Sequence, residues 1–179
     1  MRYIYSLLSR LALLFIFLPR IFYIIFFPLT IWLSYIPLKL LYPSSSIIAN
    51  TLTVNTQQLA FVEACISPYA YYLLLALIML TKDMKPLTRL KMMLIGSSFI
   101  LLANITRIVI LAVILLNFGY NSFSLLHLTF WYVLSTAFII LLWIILTNSF
   151  SIKSIPVYSD YRYLLENSSF KKKGLYKHR

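Results

Sequence analysis

A lone thiol, a guanidinium inside an apolar run and an imidazole at the edge of another are the groups in this 179-residue chain that could do chemistry together. Cys65 is the sole cysteine, and His127 is the only histidine outside the C-terminal tail. Arg107 interrupts a strongly apolar stretch from Met92 to Leu116. A charge placed in hydrocarbon is costly, so it defaults to a functional candidate. A thiol attacks a carbonyl as the thiolate, and a neighbouring imidazole can supply that form and later protonate the leaving amine. The tetrahedral intermediate carries a negative oxygen, which a permanently charged guanidinium can hold in a low-dielectric site. A thioester formed this way is resolved by water or by a second nucleophile, giving hydrolysis or transpeptidation.

Two further residues support the set. Asn104 lies three residues before Arg107, and Ser97 seven before that, so a helix puts all three on one face. Glu63, the one acid in the segment ahead of Cys65, is read as a partner that fixes Arg107 or His127 rather than as a general base. Each residue also has a plainer reading. Cys65 can be a small apolar filler, His127 an interfacial residue, and Arg107 a side chain that snorkels to headgroups or pairs with Glu63. Tyr69, Tyr71 and Tyr72 read as packing and interfacial-belt residues.

The elements that must position these groups follow from composition. Hydrophobic residues make up 61% of the chain and charged residues 11%, with a mean hydropathy of +0.88. Soluble domains carry about a quarter charged residues, so this composition excludes a water-soluble enzyme and a disordered tail. One cysteine excludes an internal disulfide. The net charge of +12 does not point to nucleic acid, because the basic residues lie in bands between apolar runs. No P-loop, dinucleotide glycine pattern or metal-ligand spacing is present, so no cofactor and no metal are expected.

The sequence predicts an all-α membrane protein with four spans, at about 21–42, 66–81, 92–116 and 127–147, each judged against roughly 20 residues for 30 Å of hydrocarbon. Pro28 and Pro37 predict a kink in the first. Residues 3–18, broken by Arg10 and closed by Pro19-Arg20, read as an N-terminal interfacial helix. Of the sixteen Lys and Arg residues, all but Lys39 and Arg107 fall before the first span, between the second and third, or after the fourth. The positive-inside bias makes that side cytoplasmic, with both termini inside and 43–64 and 117–126 as external connections. In the longer connection, Ser44-Ser45-Ser46 reads as a helix cap, and Thr51–Val54 and Gln57–Val62 around Asn55-Thr56 as a small hairpin. Residues 1–152 form the membrane domain and 153–179 a basic cytoplasmic tail held near anionic headgroups. In that frame Cys65 and His127 stand at the outer boundary. Arg107, about 22 Å up its helix from Met92, lies just below it.

Glu63-Ala64-Cys65 opening a helix, Asn104-Ile105-Thr106-Arg107-Ile108 within the next, and His127 opening the last together resemble the exosortase/archaeosortase family of membrane cysteine transpeptidases. The resemblance covers about residues 51–147, and in length the chain is similar to compact archaeal members. It departs where family members continue the cysteine with a small residue and glycine, since Ile66-Ser67-Pro68 follows here. The resemblance implies Cys65 as nucleophile, with Arg107 and His127 completing the catalytic set. It also implies exported surface proteins as substrates, carrying a C-terminal motif, a membrane helix and a basic end, with a lipid or other amine or hydroxyl acceptor, at the external face of the plasma membrane. The competing expectation is a non-catalytic membrane subunit (a channel, transporter or assembly factor) with Arg107 as a structural or pathway charge. A rhomboid-type serine protease fits less well, because this glycine-poor chain has no Gly-x-Ser-x-Gly turn.

Overall fold

The computed structural model describes residues 12, 14, 18–55, 57–81, 84–130 and 135–152. Almost all of the expected interfacial helix and the whole basic tail lie outside the described residues. The chain is mostly helical. Helix α1 spans Pro19–Leu41. Pro19 sits in the first turn, where its missing N–H is one that a helix start leaves unpaired anyway. The helix continues through Pro28 and Pro37. Phe22, Thr30, Ser34 and Leu38, at four-residue spacing, make its buried stripe.

Ser44–Ser46 do not cap a new helix. The Ser45 hydroxyl donates to the Tyr42 carbonyl at 2.7 Å, closing the end of α1, and Ser46 opens a strand. The expected hairpin is part of a three-stranded antiparallel sheet of β1 (Ser46–Ile48), β2 (Thr51–Val54) and β3 (Gln57–Ala60), in that spatial order. Val54 pairs with Gln57 and Leu52 with Leu59. The two-residue connection between β2 and β3 requires a left-handed residue, and Asn55 takes φ 54°. Asparagine tolerates that region, which is how the turn forms without glycine. Leu52 and Val54 are fully buried against Ile31 and Leu38 of α1 and Phe61.

A single helical turn, α2 (Glu63–Ile66), follows, and Ser67 separates it from α3 (Pro68–Leu80). Helix α4 runs over Pro86–Thr129 and is interrupted at Gly119, which has φ 78° and ψ −179°. That region is essentially restricted to glycine. A Cβ there would meet nothing within 4 Å, so conformation rather than space demands the residue. The expected external connection at 117–126 is therefore corrected: it is helical on either side of one glycine. After the break Phe123 stacks on His127, whereas Phe118, Tyr120 and Leu125 are exposed.

Helix α5 covers Ser135–Ser149. Helix α4 packs on α1, α3 and α5, and α3 packs on α1 and α5 as well. Gly96 lets α3 and α5 approach α4 closely, since a Cβ there would come 2.5 Å from Leu74 and 3.1 Å from Leu146. Only α1 and α4 are long and apolar enough to cross a membrane. Helices α3 and α5, with 13 and 15 residues, reach only about 20 and 22 Å, so four full-length spans do not appear among the described residues. The outward faces are apolar, with Trp32, Leu40, Leu102 and Ile145 all more than half exposed.

Arg89, read from sequence as one of the topology-setting cations, also has a structural task. Its guanidinium donates to the carbonyls of Ile78 and Met79 at 2.7 and 2.9 Å and of Thr81 at 2.8 Å. These are carbonyls at the C-terminal end of α3, where a cation also complements the helix dipole. Arg89→Gln should cost about 2 kcal/mol, read as a lowered unfolding midpoint in detergent.

Candidate active site

Helix α4 presents one buried polar face, on which Ser97, Asn104 and Arg107 are all less than 9% exposed. Asn104 and Arg107, one turn apart, close on the end of α2. The Asn104 amide donates to the Cys65 carbonyl at 2.8 Å and to the Ile66 carbonyl at 3.5 Å. Arg107 Nη2 donates to the carbonyls of Cys65 at 3.2 Å and Ala64 at 3.4 Å, and to Ser67 Oγ at 3.2 Å. A one-turn helix leaves its carbonyls without intrahelical partners, and these two side chains supply them. The nucleophile candidate is thus held through its own backbone by the cation beside it. Arg107 Nε is buried without a partner among the described residues.

Ser67 is the residue that sequence reading passed over. It adopts φ 55° and ψ 50°, the left-handed conformation. Its hydroxyl accepts from Arg107 and donates to the Ala64 carbonyl at 3.4 Å. Ser67→Gly should change stability by less than about 1 kcal/mol, because relief of the left-handed penalty offsets the added chain entropy. Ser67→Val, β-branched at positive φ, should cost roughly 2 kcal/mol or more. Denaturant midpoints of the two variants check the ordering.

Cys65, Arg107 and His127 line one cleft of about 320 Å³. This lies in the range of small-molecule and peptide pockets, about 300–1,000 Å³. One wall is β3 and Phe61, the other is α4 from Ile108 to Leu115, and Tyr120, Phe123 and His127 close the end. His127 does not open a separate last span. It stands near the end of α4, past the Gly119 break, and that break turns residues 120–129 back over the cleft. Its ring stacks on Phe123 with centroids 5.6 Å apart. Among the described residues the Cys65 thiol and the His127 ring make no direct hydrogen bond, although both line the cleft. Catalytic hydrogen bonds often tighten only in the substrate complex.

Glu63 is not the partner of Arg107 or His127. It is exposed, opens onto a separate cavity beside Pro68 and Tyr69, and leaves Arg107 to carbonyls and a hydroxyl. Among the described residues no carboxylate lines the main cleft. A further apolar cavity of about 200 Å³ lies beyond Arg107, between Asn104, Phe130 and Phe138. Among the described residues no three His, Cys, Asp or Glu side chains gather where they could hold a metal ion. No family model matches the chain, and no curated protein or solved structure is significantly similar to it.

Proposed function

We propose that this chain is a membrane-embedded cysteine peptidase or transpeptidase of exosortase/archaeosortase type. Cys65 is the nucleophile, His127 the proton carrier and Arg107 the fixed cation. The observation that carries the reading is the meeting of these three groups, from separate segments of the chain, in one cleft with no carboxylate among the described residues that line it. The Cys65 sulfur attacks the substrate carbonyl, its proton passes to His127, and the C–N bond breaks as His127 protonates the leaving amine. The resulting thioester then passes its acyl group to water or to an amine or hydroxyl acceptor, a membrane lipid among them. Arg107, which lines the cleft, supplies the fixed positive charge for the developing oxyanion.

In this reading the bundle crosses the plasma membrane with α3 and α5 as short spans. The cleft faces the external side and both termini are cytoplasmic. The apolar outward faces and the banding of Lys and Arg support that orientation. Substrates are exported proteins ending in a short motif, an apolar helix and a basic tail. Co-expressing such a protein with Cys65→Ala should leave it uncleaved, with membrane insertion of the variant unchanged. Full processing by that variant would overturn the proposal.

A second reading is favoured by the three bonds that Arg107 Nη2 makes to α2 and Ser67: a non-catalytic membrane subunit in which Arg107 is a structural charge. It predicts that Cys65→Ala is silent in every assay.

A further inference from the structure

The sheet ends at β3, and β3 lines the cleft that holds the Cys65 thiol. In an antiparallel ladder alternate residues turn their N–H and C=O groups to the same neighbour. Phe61 N–H donates to the Asn50 carbonyl at 2.9 Å, and Val54 pairs with Gln57 across the turn. Residues 57, 59 and 61 therefore face β2, and the backbone groups of Gln58 and Ala60 face away from the sheet. Among the described residues nothing bonds to them. Gln57 through Phe61 all line the cleft that holds Cys65. Natural sheets blunt an open edge with charge, proline or a covering element, whereas Gln57-Gln58-Leu59-Ala60 carries neither charge nor proline and borders open space.

We infer that an extended peptide segment binds in this cleft as a fourth strand on the free edge of β3, hydrogen-bonded to the backbone of Gln58 and Ala60, which delivers its carbonyl to Cys65. This rests on the proposed peptide chemistry of the site and adds how the substrate is held. Main-chain bonds supply affinity in such strand addition, and side-chain pockets supply selectivity. The lining offers two glutamine amides, aromatic rings and one fixed cation with no acid, so the segment is uncharged or acidic. A basic segment would meet Arg107 without compensation.

Because Cys65 is the only cysteine, alkylation of the purified full-length protein reports on this cleft alone. Four reagents are compared: iodoacetamide, N-iodoacetyl-Thr-Val-Thr-Val amide, and the same peptide N-methylated at alternate residues in each of the two registers. The plain peptide should label Cys65 at least about tenfold faster than iodoacetamide. One N-methylated register should lose that advantage, as should Gln58→Pro, since a single main-chain hydrogen bond is worth roughly tenfold. Gln58→Pro removes an edge-facing N–H without breaking the β2–β3 ladder, and the advantage is read within that variant as the ratio of its peptide rate to its iodoacetamide rate.

An advantage that survives N-methylation in both registers, or survives Gln58→Pro, overturns the inference. A second readout does not need the thiol: in Cys65→Ala, saturating acetyl-Thr-Val-Thr-Val amide should slow hydrogen exchange at Gln58 and Ala60 but leave Gln57 and Leu59 unchanged. Absence of that protection also overturns it. A Cys65 unreactive to iodoacetamide in a folded protein counts against the catalytic proposal, and the exchange experiment then decides strand addition by itself.

Discussion

Replacing Arg107 with leucine will silence the cleft and loosen the fold in one step. The leucine keeps the bulk on α4 but withdraws the donor shared by the Ala64 carbonyl, the Cys65 carbonyl and Ser67 Oγ. Asn104 still reaches the Cys65 carbonyl and the Ser67 hydroxyl the Ala64 carbonyl, so neither acceptor is left without a donor. The loss is that of the bonds to a charged donor, each worth about 1.5–3 kcal/mol at good geometry; at 3.2–3.4 Å the expected loss of stability is about 1–3 kcal/mol. Processing should fall by about 10²–10³ or more, the usual effect of removing one oxyanion donor. Arg107→Lys separates the two consequences. An ammonium restores charge and one or two of the bonds, and with them most of the stability. It does not reproduce the planar fork that spans two carbonyls while aiming another N–H elsewhere. Processing should therefore remain well below wild type while the unfolding midpoint recovers. If lysine restored both, charge alone would suffice and the guanidinium geometry would be irrelevant.

Why Cys65 and Arg107 could be paired from sequence, and Ser67 could not, follows from which physical quantities sequence encodes. Helical rise and hydrocarbon thickness fix how far Arg107 stands from the start of its run, and the polar-to-apolar change at Cys65 fixes where the next helix begins. Those two quantities predict one layer for both groups, and Asn104 and Arg107 both reach the Cys65 carbonyl. His127 lines the same cleft, but from the end of α4 and not from the start of a further span. An uncharged stretch after Leu116 reads as a connection, but backbone hydrogen bonds in an apolar setting favour continued helix, and one glycine at Gly119 provides the change of direction. The β2–β3 hairpin was visible in its β-prone residues; the third strand was hidden because three residues, Ser46–Ile48, carry too little pattern. Positive φ at a serine leaves no composition signal at all, which is why Ser67 emerges only from the fold. On charge alone Glu63 would pair with Arg107 or His127, whereas the carbonyls of a one-turn helix, left without intrahelical donors, are the groups that Arg107 reaches.

Removing the imidazole will separate catalysis from folding more cleanly than any change at Arg107. His127 is partly exposed, and its ring contact is the stack on Phe123, an interaction worth about 0.5–1.5 kcal/mol. His127→Ala should therefore unfold close to the wild-type midpoint. Processing should drop about 10²–10⁴-fold, the range supplied by a positioned acid–base group. The sign of the pH dependence follows from its role. Only the neutral ring can accept the thiol proton, so wild-type processing should rise with pH as the imidazole deprotonates, and that limb should be missing from His127→Ala. Phe123→Leu keeps the imidazole and removes the stack, so it should retain the limb at a reduced rate. Imidazole added to the buffer has room in a cleft of about 320 Å³ and should restore part of the lost activity in His127→Ala but none in Cys65→Ala. A merely structural histidine would give the opposite pattern: a lower unfolding midpoint, an unchanged pH profile and no rescue, because a free ring in solution cannot replace a missing wall of the protein.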